Sequence, residues 1–190
     1  MNKNSMNKTV IVTSAGMLAA ISSVLQIVHL GYLSPWGMWI DFVAVPWILG
    51  YFLFGWRGAL TVSIVSSLVI TFVDPSTWLG ALMKFVATLP MWLVPFAWQK
   101  ASKSKLGDFR KLRTITLSVL AAIILRAVLV IPLNYYYAIP IWTGMSPIQA
   151  MELIPWWIIF AMNAIQGVLE FAIAWILIFR FRLERFALWE

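Results

Sequence analysis

Long apolar stretches alternate with short polar breaks along the whole chain. The apolar runs cover about residues 10 to 30, 40 to 55, 58 to 73, 78 to 98, 114 to 139 and 155 to 179. Most of them approach or exceed the roughly 20 residues a helix needs to cross a hydrocarbon layer of about 30 Å. In such a layer only helices and closed barrels satisfy every backbone polar group. The pattern therefore predicts an all-α, polytopic membrane protein with six transmembrane helices, forming a single integral membrane domain over residues 1–190. The second and third runs are short, and the Gly55-Trp56-Arg57-Gly58 turn between them is expected near or below the membrane surface. Merging those two runs into one span is the competing count. The first run begins near Val10 and is too long for the apolar region of a cleavable leader, so it is read as the first span.

Six crossings put both termini on one side, and the basic residues test that arrangement because short cytoplasmic loops collect Lys and Arg. Lys3, Lys8, Arg57, the run Lys100, Lys103, Lys105, Arg110, Lys111, Arg113, and Arg180, Arg182, Arg185 all fall on one side, twelve of the fourteen cations. The opposite connections, around 31 to 40, 74 to 77 and 140 to 154, carry Asp41, Asp74 and Glu152 and no Lys or Arg. Both termini are thus expected in the cytoplasm, with the chain in the cell membrane as a multi-pass protein. The formal charge of +7 and pI near 10 follow from this topology and from anionic lipid, so no nucleic-acid partner is implied. A composition that is 62% hydrophobic and 11% charged excludes a water-soluble domain. With no cysteine and one histidine, a disulfide framework and a thiolate metal site are ruled out. There is no phosphate-binding G-x-x-x-x-G-K-[ST] loop, H-E-x-x-H or G-x-S-x-G, so the chain reads as a non-enzyme without cofactor, and ATP-driven work needs another subunit.

Two cations, Lys84 and Arg126, lie inside apolar runs, together with Glu170, Asn134, Asn163 and Gln166. An ionisable group costs at least about 2.5–3.5 kcal/mol at the centre of a spanning helix unless paired or wetted, so each is a functional candidate. By helical rise, Lys84, Asn134 and Asn163 sit roughly 9 to 11 Å beneath the outer surface, on three different helices. That level is either interhelical glue or the polar part of a small-molecule pocket open to the outside. Arg126 and Glu170 lie deeper, roughly 21 Å down, and are expected to form a structural ion pair or, on the other reading, a conformational or proton relay. Asn163, Gln166 and Glu170 are spaced three and four apart, which puts them on one inward-looking helix face.

Tyr135, Tyr136 and Tyr137 follow Asn134, and Pro132 and Pro140 bracket them, so this helix is expected to bend and open at its outer end. Trp36, Trp39, Trp78, Trp142, Trp156 and Trp157 crowd the outer boundary, as an aromatic belt or as walls for a flat ligand. His29, near the outer end of the first helix, is a ligand contact or a plain interfacial residue. Ala15, Ala19 and Ser23 recur every four residues, with Gly16 and Ala20 beside them, a small-residue face that admits a close helix from this chain or from another subunit.

Several of these residues carry a family resemblance. Ile40-Asp41-Phe42 followed by Val45-Pro46, Phe54-Gly55, Asn134-Tyr135 with Ile139-Pro140, and Asn163 with Gly167 occur in an order and spacing similar to the substrate-binding S components of energy-coupling factor vitamin transporters. The riboflavin-specific branch is the most similar. The resemblance implies capture of riboflavin or a related flavin from outside. Delivery would then run through a transmembrane coupling subunit, the T component, and two ATPase subunits. It implies that Asn134, Asn163 and the Ile40, Asp41, Phe42 segment hold the ring system; the reading of the residues themselves adds Gln166, Lys84, Trp36, Trp78 and Tyr135 as expected site residues. It also implies that the Ala15 and Ala19 face docks on the coupling subunit; closure of the outer loops 31 to 40 and 140 to 154 over the ligand is a separate expectation about gating. The riboflavin pattern has N-x-x-K-G in the last helix, whereas this chain has Asn163, Gln166 and Gly167 and places a lysine at 84 instead. Either the positive charge has moved across the pocket or the vitamin differs. Two readings stand beside the S component: a self-sufficient secondary carrier coupled to protons through Glu170 and Arg126, and a non-transporting membrane scaffold.

Overall fold

The protein is described by a computed structural model over residues 3–73 and 78–188, with side chains from residue 9 onward and at 73 excepted. Asp74 lies outside the described residues, as do the side chains of Lys3 and Lys8. Among the described residues, five helical stretches are long and apolar enough to cross a membrane: Thr9–Val28, Val45–Phe72, Trp78–Ser102, Leu112–Thr143 and Trp156–Arg180. The second of these is two rods. Helix α2 (Val45–Val73) is broken at Gly55, whose φ of 72° and ψ of −168° belong to a region open almost only to glycine. A Cβ built on Gly50 would stand 3.1 Å from Val62 Cγ2 and 3.4 Å from Ala59 Cα. Along a straight helix residues 50 and 62 are about 18 Å apart. The chain therefore folds back on itself at Gly55, and the bundle has six rods, as the run-by-run count predicts.

Helix α1 (Lys3–Val28) ends at His29, and a short hairpin follows, β1 (Gly31–Leu33) against β2 (Trp39–Asp41), turned through Gly37 at φ 75°. The apolar run starting at 40 thus begins as a strand, and the helix itself starts at Val45, with Pro46 in its first turn where a missing N–H is harmless. The hairpin's strands are largely exposed, and of their residues only Asp41, at the end of β2, is buried. Ser22 Oγ donates to Val43 O (2.7 Å) and accepts from Trp47 Nε1 (2.8 Å), tying α1 to this entry.

Helix α3 (Trp78–Ser102) runs to the basic connection at 99–113. A 3-10 turn (Leu106–Arg110) then leads into α4 (Leu112–Leu133). In that connection the Asp108 carboxylate is held below its usual range, first by the Lys111 ammonium at 2.8 Å and next by the Lys105 N–H. Beyond Pro132 the helix widens into a π turn (Asn134–Ala138) and continues as α5 (Ile139–Thr143). The expected bend at Pro132 is accommodated by this widening, a common device near functional sites. A Ser146 and Gln149 capping box opens a further outer helix, α6 (Pro147–Leu153), within what reads from sequence as loop. Helix α7 (Trp156–Trp175) runs back inward and ends in a second π turn (Ile176–Arg180).

The half of the bundle beside the 99–113 connection is its solid part. Phe52 sits at its centre, its ring 6.1 Å from Phe109, 5.6 Å from Phe171 and 5.8 Å from Phe179. The Leu188 N–H donates to Leu53 O (2.8 Å), and Arg110 pairs with Glu184, so the C-terminal segment covers the hairpin of α2 from below. Ala15 and Ala19 are each 1% exposed, and Ala15 packs with Ala44, Trp47 and Val62. Their small-residue face admits a helix of the same chain. This corrects the expectation that Ala15 and Ala19 dock on a partner.

Candidate ligand-binding site

The outer half of the bundle is hollow. A cavity of about 350 Å³ lies between α1, the hairpin, α3, α4 with its π turn, and α7. The size falls in the range of small-molecule sites. Polar groups reach it from four separate elements: Asp41 from β2, Lys84 from α3, Arg126 and Asn134 from the α4 rod, and Asn163 and Gln166 from α7. Lys84, Asn134 and Asn163 thus share one space, as their common depth predicts.

Their partners differ from a simple ring of amides. Lys84 donates to both oxygens of Asp41. The Asp41 Oδ1 also accepts from the Val43 N–H (3.0 Å) and from Gln166 Nε2 (3.4 Å). The same Gln166 Nε2 donates to Glu170 Oε1 at 2.8 Å. Glu170 Oε2 receives Arg126 Nη1 at 3.4 Å, and Arg126 Nε donates to Asn163 Oδ1 at 3.1 Å. One chain of hydrogen bonds therefore runs Lys84, Asp41, Gln166, Glu170, Arg126, Asn163. The Arg126 and Glu170 pair expected from depth is present, with Glu170 fully buried. The separation into two levels is not: the long Arg126 side chain climbs to Asn163 and joins the cavity wall.

Asn134 and Asn163 each spend one N–H on their own helix, donating to Val130 O and Ile159 O at 2.9 Å. Asn134 Oδ1 and Gln166 Oε1 have no protein partner among the described residues. Arg126 has five N–H donors and commits two of them to the bonds above. The spare capacity of the site is therefore rich in donors, with two amide oxygens left to accept.

The apolar walls follow from local geometry. Side chains two apart share a strand face, so β2 turns Trp39 and Asp41 to the cavity while Ile40 points away. Trp39 tilts against His29 with ring centroids 5.4 Å apart, and Trp142 and Trp47 add two further indoles. His29 lies on the rim, with Nδ1 3.0 Å from Ile27 O. Met38, Met83 and Met162 fill the space between; no sequence signal marks them, since Met at helical spacing reads as core.

Five other expected site residues lie elsewhere. Ile40 and Phe42 flank Asp41 but do not line the cavity. Trp36 and Trp78 are 41% and 49% exposed and also stand outside it. Tyr135 is buried away from the cavity, its hydroxyl donating to Ile154 O at 2.6 Å, so it ties the π turn to the outer helix α6. The segment expectation thus narrows to Asp41, and the tryptophans that face the cavity are 39, 47 and 142.

Membrane-spanning rods around a hollow outer half, with a satisfied polar network and aromatic walls but a solid inner half, define a membrane-embedded binding component. The chain belongs to the energy-coupling factor (ECF) transporter substrate-specific component family, whose sequence profile matches residues 10–178. It is a transporter component and not an enzyme, in the multi-pass membrane class. It is similar to the riboflavin transporter RibU of Streptococcus thermophilus, 28% identical over 149 residues, which is 74% of this chain and 66% of that protein. The match thus spans slightly less than two thirds of that relative's length. The solved structure of the S component of a bacterial ECF transporter shares the fold, with a TM-score of 0.72 and 24% identity over 92% of this chain and 96% of that one.

Proposed function

We propose that this chain captures riboflavin or a related flavin from the extracellular side of the cell membrane and delivers it to a T component driven by two ATPase subunits. The carrying observation is the match between the cavity's spare hydrogen-bonding capacity and a flavin ring. The pyrimidinedione edge of a flavin offers several acceptors and one imide N–H. Lys84 and Arg126 supply donors from the wall, and Asn134 Oδ1 or Gln166 Oε1 accepts the imide proton. Trp39, Trp47 and Trp142 give the fused rings apolar and aromatic surface. The similarity to a riboflavin transporter supports the same reading.

Docking on the T component moves one residue around α1 from the position the family resemblance implies. Gly16 and Ala20 lie exposed beside the buried Ala15 and Ala19, and a Cβ on Gly16 would meet nothing within 4 Å. The proton-carrier reading loses its motive, because Glu170 is 0% exposed and off the cavity wall.

Purified protein titrated with riboflavin is expected to quench its fluorescence, and Asn163→Ala is expected to weaken binding by about tenfold or more through release of Arg126. Absence of quenching eliminates the flavin assignment, and an unchanged affinity in Asn163→Ala removes that residue from the site.

A further inference from the structure

Three formal charges line the cavity, Lys84, Asp41 and Arg126, and Glu170, buried behind the wall, brings their sum to zero. Arg126 is matched by Glu170, and Lys84 by Asp41, with Gln166 joining the two pairs through one amide nitrogen. Without Asp41, the cavity would present an unopposed ammonium to its contents and favour an anion. Asp41 is delivered to Lys84 from a different element, the hairpin strand β2, and held there by the Val43 N–H at 3.0 Å. Both of its oxygens are engaged by Lys84, and Oδ1 takes two further donors, so it has little left to offer a cationic ligand. The pair is mostly buried, with side chains 15% and 8% exposed, so its charges are weakly screened. Lys84 and Arg126 nevertheless keep N–H groups that can serve a carbonyl oxygen.

We propose that Lys84 and Asp41 form a charge-cancelling pair that makes the cavity selective for acceptor-rich ring systems without formal charge, with Asp41 as the specificity-determining residue that excludes ring anions. This rests on the flavin reading of the cavity. An uncharged ring takes the spare hydrogens of both cations without disturbing either ion pair. An anionic ring competes with Asp41 for Lys84 and leaves a buried carboxylate short of its counter-charge, an expensive arrangement.

The test compares riboflavin with 8-demethyl-8-hydroxyriboflavin, whose ring is an anion at neutral pH, each titrated against purified protein. The wild type is expected to bind riboflavin tighter by about tenfold or more. In Asp41→Asn, which leaves Lys84 uncompensated, the ratio is expected to shift toward the anionic analogue by about tenfold or more. In Lys84→Met with Asp41→Asn, where both charges are gone, the preference for riboflavin is expected to return. The ratio is taken within each variant, so a general loss of affinity or of folded fraction cancels, and the steric difference between the ligands is common to all. Equal binding of both ligands by the wild type, or an unchanged ratio in Asp41→Asn, overturns the proposal while leaving the flavin site standing. Failure of the wild type to bind either flavin overturns the flavin reading and this proposal with it.

Discussion

Arg126 holds two residues at once, the carboxylate of Glu170 at 3.4 Å and the amide oxygen of Asn163 at 3.1 Å. Removing it leaves a fully buried carboxylate without a cation, an arrangement that costs about 3–5 kcal/mol when a buried pair is broken from one side. Arg126→Met is therefore expected to lower thermal stability in detergent by an amount of that order, and Glu170→Gln added to it is expected to recover most of the loss. A single variant as stable as the wild type would show that the pair contributes nothing to the fold. Position along an apolar run was enough to single out Arg126, Glu170, Asn163, Gln166, Asn134 and Lys84, because a polar group in hydrocarbon must have a reason. Their pairing was not readable, since helical rise places Cα atoms and says nothing about how far an arginine side chain reaches. Trp36 and Trp39 likewise look alike in sequence; in the fold Trp36 stands in the turn between the two strands, whereas Trp39 lies in β2 on the face that Asp41 turns to the cavity.

The break in α2 makes a prediction whose sign separates two architectures. In a straight helix Gly58→Ala would stabilise by about 0.5–1 kcal/mol. Here a Cβ on Gly58 would come within 2.3 Å of Phe54 Cβ and 2.9 Å of Gly50 O, so the two arms must be pushed apart. Gly58→Ala is expected to destabilise by about 1–3 kcal/mol, read as a lowered melting temperature, and a raised one would restore the single straight span. At this scale most of the architecture is legible in the apolar runs, because the bilayer forces each into a helix of known rise. The exceptions are local. The hairpin at 31–41 hides in a stretch that reads as connection because its strands are only three residues each, too short to show an alternating pattern. The π turn at 134–138 follows from Pro132 only as a bend, since a proline removes one hydrogen bond without saying how the chain repairs it. Helix α6 carries a Ser146 to Gln149 capping signal inside a stretch that otherwise reads as connection.

The molecule as a whole is solid at the end that carries the basic 99–113 connection and hollow at the other, which suits the proposed function of accepting a ligand from outside and leaving passage to others. Docking belongs to this scale. Gly16→Trp is expected to abolish riboflavin uptake in cells that supply the coupling subunits while leaving the affinity of the purified chain within about twofold. Ala15→Trp is expected instead to compromise folding, because its methyl is packed against Trp47 and Val62. Normal uptake by Gly16→Trp would move the docking face elsewhere. The arithmetic of Lys84, Arg126, Asp41 and Glu170 also has an electrical consequence. One unbalanced charge carried through the membrane would tie delivery to voltage by about 2.3 kcal/mol per 100 mV. On the proposed function, a sum of zero loaded with an uncharged vitamin does no work against that field. The potential across the cell envelope would then neither pull the cargo inward nor hold it back, and the energy for the journey would come from nucleotide hydrolysis in another polypeptide.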